Sequence, residues 1–188
     1  MNEVLNALSD RRSVRHYRSQ AVDESMVEAI VRAGLLAPSA RNSQASHLTV
    51  VIGLGTIRRL NAAVKEATVK PGFDKYAGMA DQPGYSINFQ NAPVFIIVAV
   101  DHTASFCPPE DGALVLGNIL LAAHALGLGA CWINQLGPIC DEPGFRKILT
   151  ELGVPPTHKI IGCAAIGHRA GENPKAPARK PGRFNIVK

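Results

Sequence analysis

Val94-Phe95-Ile96-Ile97-Val98-Ala99-Val100 is an unbroken apolar run, the pattern of a strand buried on both faces. Upstream of it, Asp23 is placed to cap a helix running to about Ala37. Val22 and Val27 are spaced as a hydrophobic staple, and Met26, Ile30, Val31 and Gly34 fall on the inner side. A strand is expected over Leu48–Ile52. A second helix then opens at Thr56, carries Ile57, Leu60 and Val64 inward, and breaks before Pro71. Residues 71–91 are rich in Gly, Pro, Asp and Asn and read as a long loop, of a length that is more often functional than idle.

Downstream, the most apolar helix is expected over Asp111–Leu126, with Leu114, Val115, Asn118, Leu121, Ala122 and Ala125 at helical spacing. Its small residues Gly117, Ala122 and Ala123 let another helix approach, which suits a central core helix or half of a dimer interface. Gly127 and Gly129 end it. A short strand Ala130–Ile133, a helix marked by Phe145, Ile148, Leu149 and Leu152, and a last strand Lys159–Ile166 complete the alternation. No internal repeat and no second domain is visible.

Composition sets the outer bounds. The chain has 188 residues, 46% hydrophobic and 19% charged, enough for one domain with a real core. Its longest apolar run, Ala92 to Val100, is interrupted by Pro93 and falls far short of the roughly 20 residues of a membrane-spanning helix. The N-terminus reads as an amphipathic helix with no apolar signal-peptide core, so a cytoplasmic protein is expected. Cys107, Cys131, Cys140 and Cys163 show no metal-binding or redox spacing and read as reduced structural thiols. The six histidines lack metal-ligand spacing as well, and His124 on the central helix reads as a hydrogen-bonded core residue.

The net charge of +5 raises nucleic acid as a partner. Only 5% of residues are aromatic, however, and they do not alternate with the positive charge, which gathers at the two ends, so a base-stacking platform is poorly supplied. A small anion fits better. At the N-terminal end, Val4, Leu5 and Leu8 share a face of a short helix, and Arg11, Arg12, Ser13 and Arg15 follow directly. Guanidinium grips two phosphate oxygens at once and serine adds a donor without bulk. A solvated basic stretch at a helix C-terminus is the plainer reading of the same residues. At the other end, residues 169–188 carry Pro174, Pro177 and Pro181 and then Phe184, Ile186 and Val187, an extended arm with an apolar end fit to dock.

Five segments follow in order along the chain: Arg11-Arg12-Ser13-Val14-Arg15; Ala37-Pro38-Ser39-Ala40-Arg41-Asn42-Ser43-Gln44; Asn91-Ala92-Pro93 before the buried strand; Gly127-Leu128-Gly129-Ala130-Cys131-Trp132; and Ile161-Gly162 through Ile166-Gly167-His168. Together they resemble the FMN-dependent nitroreductase family. The resemblance implies an α/β (α+β) three-layer sandwich with a central, mainly antiparallel sheet flanked by helices. It further implies an intertwined homodimer with residues 168–188 as an extended C-terminal arm, residues 1–188 forming one FMN-binding domain. Hydride would pass from NADH or NADPH through FMN to nitroaromatics, quinones or similar small acceptors.

Residue by residue, the resemblance places Arg11, Arg12 and Ser13 at the phosphate and ribityl positions, with Arg179 or Lys180 of the arm as a further cation from the other subunit. Arg15 falls beside the pyrimidine end of the flavin. Reduction loads negative charge there, and a fixed cation holds it. Pro38, Ser39 and Ala40 would pack on the ring from the partner subunit, with Asn42 and Gln44 as polar contacts. Trp132, Ile133, Asn134 and Gln135 would lie along the flavin, and Asn88 in the long loop would reach its carbonyl region. Trp132 also reads as plain core. Ala45 and Ser46 stand where the family commonly has Pro and Trp, which bears on the shape of the substrate side.

No protein acid, base, nucleophile or metal is required, because the hydride chemistry belongs to the flavin. Two other readings share the fold: a reductive dehalogenase or dehydrogenase using the same cofactor, and a non-enzymatic FMN-binding or storage protein. Turnover separates them, since a storage protein bleaches its flavin at most once.

Overall fold

The computed structural model describes residues 2–68 and 91–188. Its centre is the apolar run quoted above, strand β2 (Val94–Asp101), buried at every position through Val100. β1 (Ser46–Ile52) pairs with one side of it and β4 (His158–Gly167) with the other, and β3 (Gly129–Ile133) adds to β4. All three pairings are antiparallel, giving the order β1-β2-β4-β3 with β1 and β3 at the edges.

Side chains alternate across the sheet, so β2 sends Val94, Ile96 and Val98 to one face and Phe95, Ile97 and Ala99 to the other. The first set packs against Val27 and Ile30 of α2 (Glu24–Leu35) and Val115, Leu116 and Ile119 of α4 (Pro108–Ala125). The second packs against Ile57, Leu60 and Val64 of α3 (Leu54–Thr68) and Phe145 and Leu149 of α5 (Pro143–Glu151). The result is three layers, helices on both faces of one sheet. Burying each such side chain contributes about 1.5–3 kcal/mol, which is why the central strand tolerates no polar residue before Asp101.

Helices α2 and α4 lie close together. A Cβ on Gly34 would come within 2.9 Å of Ile119 Cγ1, so glycine lets the helices meet there, and Asn118 Nδ2 donates to Ala33 O at 3.0 Å across the contact. This contact fixes the rotation of α4. Its buried positions are Asp111, Gly112, Val115, Leu116, Ile119 and Ala123; of the residues read at helical spacing, Leu114 and Ala125 are exposed. A helix apolar nearly all round has no periodicity strong enough to choose its own buried face.

Boundaries shift in understandable ways. α4 begins at Pro108 rather than Asp111, because proline at the first turn gives up an amide that has no helical partner. α3 begins at Leu54, two residues before Thr56. Asp23 occupies the N-cap position of α2 but makes no side-chain cap bond; its carbonyl accepts from Val27 N at 3.1 Å. The loop expected over 71–91, with Asn88, lies outside the described residues apart from Asn91.

Candidate functional site

Helix α1 (Glu3–Asp10) is short, capped by Asn2 Oδ1 accepting from Leu5 N at 3.0 Å, and buries none of its residues. Arg12 turns back on its end, its Nη1 donating to Ser9 O at 2.6 Å and Arg11 O at 2.7 Å, where a positive charge suits the carbonyl end of a helix. The chain beyond is pinned to the sheet. Val14 N donates to Ala130 O at 3.0 Å, Ser13 bridges Ala130 in parallel, and the buried Tyr17 hydroxyl donates toward Ala165 O at 3.0 Å.

The C-terminal segment then returns along the same stretch. Arg18 N donates to His168 O at 2.9 Å, Ala170 N to His16 O at 3.0 Å, and Asn173 Nδ2 to Asp10 O at 2.8 Å. Directed by these bonds, residues after Asn173 pass over the arginine cluster and close a cleft of about 330 Å3. Arg11, Arg12, Ser13 and Arg15 line it from one side, and Lys175 and Arg179 with Pro174 and Pro177 from the other. Five cationic side chains meet there with no carboxylate among the lining residues. Arg12 Nε, which is buried, has no hydrogen-bond partner among the described residues, and neither has Asn173 Oδ1. A cluster of this kind is stable only with an anion or solvent inside it. Arg179, expected as a cation from the other subunit, lines the cleft of its own chain; Lys180 lies next to it, exposed.

Cys131, the neighbour of Ala130, belongs to this site. Burial pushes its thiol up, against the pull of Arg15, Ser13 and Arg11, and it stands near enough to Tyr17 to raise that phenol further beyond the desolvation that dominates it. β3 continues from there to Trp132, Ile133, Asn134 and Gln135. Ile133 is buried, and Trp132 is 37% exposed with its indole against Gly162, so it is neither plain core nor free surface. The Asn134 amide donates to Gln135 Oε1 at 3.1 Å.

Pro38 to Gln44 lines a different cavity, of about 170 Å3, formed by Pro38, Ser39 and Gln44 with Leu35, Ala37, Ser46, Asp111 and Val115. Its backbone is unusual: Arg41, Asn42 and Gln44 have φ of 52°, 55° and 47°, left-handed values that cost a non-glycine residue about 1 kcal/mol or more each. Gln44 N donates to Ser39 Oγ at 3.0 Å and Gln44 Nε2 to Asn42 Oδ1 at 3.1 Å, closing the loop on itself. Asp111 accepts from Ala40 N at 2.8 Å. Arg41 lies over the Phe106 ring, 4.4 Å from its centre.

Two residues of these sites were not singled out in the sequence. Lys175 gave no signal beyond the basic arm. Asp111 did give one: it heads the inward row Asp111, Val115, Ile119 at four-residue spacing, an acid where packing alone asks for an apolar residue. No group of three or more His, Cys, Asp or Glu side chains among the described residues could hold a metal ion.

The sequence profile of the nitroreductase family matches residues 8–168. The chain belongs to the nitroreductase family. A nitroreductase of Bacteroides fragilis NCTC 9343, whose crystal structure holds bound FMN, superposes with a TM-score of 0.94 at 36% identity, each chain covered over 100% of its length. The FMN reductase [NAD(P)H] of Bacillus subtilis strain 168 is 26% identical over 198 residues, covering 94% of this chain and 70% of the relative. The NADH dehydrogenase of Thermus thermophilus is 29% identical over 191 residues, covering 90% and 88%. The nitroreductase-family match spans both the arginine cluster and the Pro38–Gln44 loop, and the two line separate cavities of the same chain.

Proposed function

We propose that this chain binds FMN and works as an NAD(P)H-dependent oxidoreductase, passing hydride from NADH or NADPH to nitroaromatic, quinone or similar small acceptors. The observation that carries the reading is the cationic cleft of about 330 Å3, lined by Arg11, Arg12, Arg15, Lys175 and Arg179 with no carboxylate among the lining residues. A doubly charged phosphate ester fits it in charge and in donors. Arg11, Ser13 and Arg179 would hold that phosphate, Lys175 would add charge from the arm, and Arg12, its Nη1 held on the helix end, would add its charge from the cleft wall. FMN, when bound, supplies the hydride-carrying ring. Arg15, exposed at the edge of the cleft, would present the fixed positive charge that favours electron-rich states of a ring beside it.

The reading includes a homodimer and one FMN-binding domain over residues 1–188 with 168–188 as its arm. Three observations support the dimer. A cofactor that touches both the arginine cluster and the Pro38–Gln44 loop draws on two cavities that share no lining residue among the described residues. Val4, Leu5 and Leu8 of α1 and Leu114 of α4 are exposed apolar residues. Finally, Phe184, Ile186 and Val187 end the basic arm fully exposed, and they match a groove of about 480 Å3 along edge strand β1. That groove is lined by Val27, Val31, Val50 and Ile52 together with Glu24, Glu28 and Arg32, the last paired with Glu28 at 3.8 Å. The arm of a second copy would fill it. No helix among the described residues is long and apolar enough to cross a membrane, and unpaired cysteines fit the cytosolic location included in the proposal.

Titrating FMN into apoprotein tests this reading. Quenching of flavin fluorescence with one FMN per chain supports it; no binding at micromolar FMN overturns it.

A further inference from the structure

Asp111 is one of the few polar side chains buried in this protein, at 3% exposure, on a helix whose other inward residues are apolar. Burying a carboxyl group is costly unless its oxygens are supplied with donors. Here they are supplied from two directions. Oδ1 accepts from Ala40 N at 2.8 Å; Oδ2 accepts from Ser105 Oγ at 2.6 Å and from Ser43 Oγ at 3.4 Å. Ser105 Oγ in turn accepts from Cys107 N at 3.1 Å, so the carboxyl ties the β2–α4 connection to the Ser39–Gln44 loop. Arg41 stacking on Phe106 joins the same two segments a second time, at the surface.

The loop so held is the one with three non-glycine residues in left-handed conformation, and such a backbone persists only where its surroundings fix it. Its internal bonds, Asn42 N to Ser39 O at 2.9 Å and Ser43 N to Ala40 O at 3.1 Å, close the turn but do not place it relative to the sheet. Its end is set on the sheet by Asp101 N donating to Ala45 O at 3.0 Å, and the Asp111 bonds fix its turn against α4.

We propose that Asp111 is a positioning residue for the cofactor: through Ala40 and Ser43 it sets the shape and height of the Pro38–Gln44 loop that faces the flavin ring. The inference rests on the proposed FMN function. Asp111 touches neither ring nor substrate in this role. It acts on binding and on the ring's surroundings through the loop alone.

The test compares wild type, Asp111→Asn and Asp111→Ala with Leu149→Ala, a destabilised control in the opposite core layer. Apoprotein melting, FMN dissociation constant and the visible circular dichroism of bound flavin are measured for each. Asn keeps an acceptor for Ala40 N but loses the one for Ser105, so it should weaken FMN about threefold; Ala should weaken it tenfold or more. Both should change the flavin dichroism, and kcat should fall more than the KM for NADH rises. Leu149→Ala should lower melting and leave FMN affinity and dichroism at wild-type values. If Asp111→Ala does not fold, Asp111→Asn together with Ser43→Ala decides the matter by the same readouts. A folded Asp111 variant with wild-type affinity and dichroism overturns the inference, as does a control that shifts both equally. Wild type that fails to bind FMN overturns the proposed function instead.

Discussion

Arg11 and Arg179 line one cleft of about 330 Å3, the first from the end of helix α1 and the second from the C-terminal arm. The two ends of the chain are brought together by backbone bonds between residues 16–18 and 168–170 and by Asn173 on Asp10. Positive charge that gathers at opposite ends of the sequence is therefore concentrated in one place.

The arginines of the cluster divide their work. Arg11→Ala should weaken FMN about 10- to 100-fold, the loss of one charge-assisted contact worth about 1.5–3 kcal/mol, and leave apoprotein melting unchanged. Arg12→Ala should weaken FMN and also lower melting, because its Nη1 caps α1 through Ser9 O. Calorimetry of the apoproteins with FMN titration checks both; equal melting of the two variants contradicts the division.

Truncation after Asn173 keeps the bonds of Ala170 and Asn173 but removes Lys175, Arg179 and the apolar end at Phe184, Ile186 and Val187. Both dimer affinity and FMN affinity should fall, whereas Arg179→Ala should reduce FMN affinity alone. Sedimentation at several concentrations, with and without FMN, distinguishes them. An unchanged dimer after truncation would show that the arm stays on its own subunit.

Trp132 reports on its own surroundings, being the single tryptophan of the chain. A Cβ on Gly162 would lie 2.6 Å from Trp132 Nε1 and 2.9 Å from Leu116 Cδ1. Gly162→Ala should therefore cost about 1–3 kcal/mol of stability and displace the indole, with a shift of its fluorescence. Unchanged emission would show that the ring does not rest on Gly162.

Acid should destabilise the fold in two stages. The His158 imidazole is held below its ordinary value chiefly by burial, with His47 and Arg146 adding to the shift against the opposing pull of Asp101. The unfolded chain then binds its proton first, so the contribution is present above about pH 6.5 and is lost as pH falls through the depressed value. Asp141, held low by Lys159 and Arg146, loses its contribution further down, below about pH 4. Melting temperature against pH should decline in that order, and His158→Gln should reduce the upper step, leaving the part due to His124, whose imidazole burial also holds low.

Much of the fold was legible because apolar spacing decides it. The seven residues Val94–Val100 announced a strand buried on both faces, and Ile57, Leu60 and Val64 marked the inner side of α3 as found. The phase of α4 was not legible, since almost every position is apolar and the contact between Gly34 and Ile119 chooses among them. At the site, arginine and serine in five residues pointed to an anion. Two features lay beyond sequence: the path of the arm, set by long-range backbone bonds, and the buried place of Asp111, visible only as an acid at the head of an apolar row.

The visible spectrum of the protein loaded with FMN, followed during addition of NADH or NADPH and then of a quinone or nitroaromatic, tests the central claim most directly. Flavin bands that bleach with the nicotinamide and return with the acceptor over many cycles are the predicted result. A protein that takes up no flavin, or whose flavin bleaches once and does not return, contradicts it.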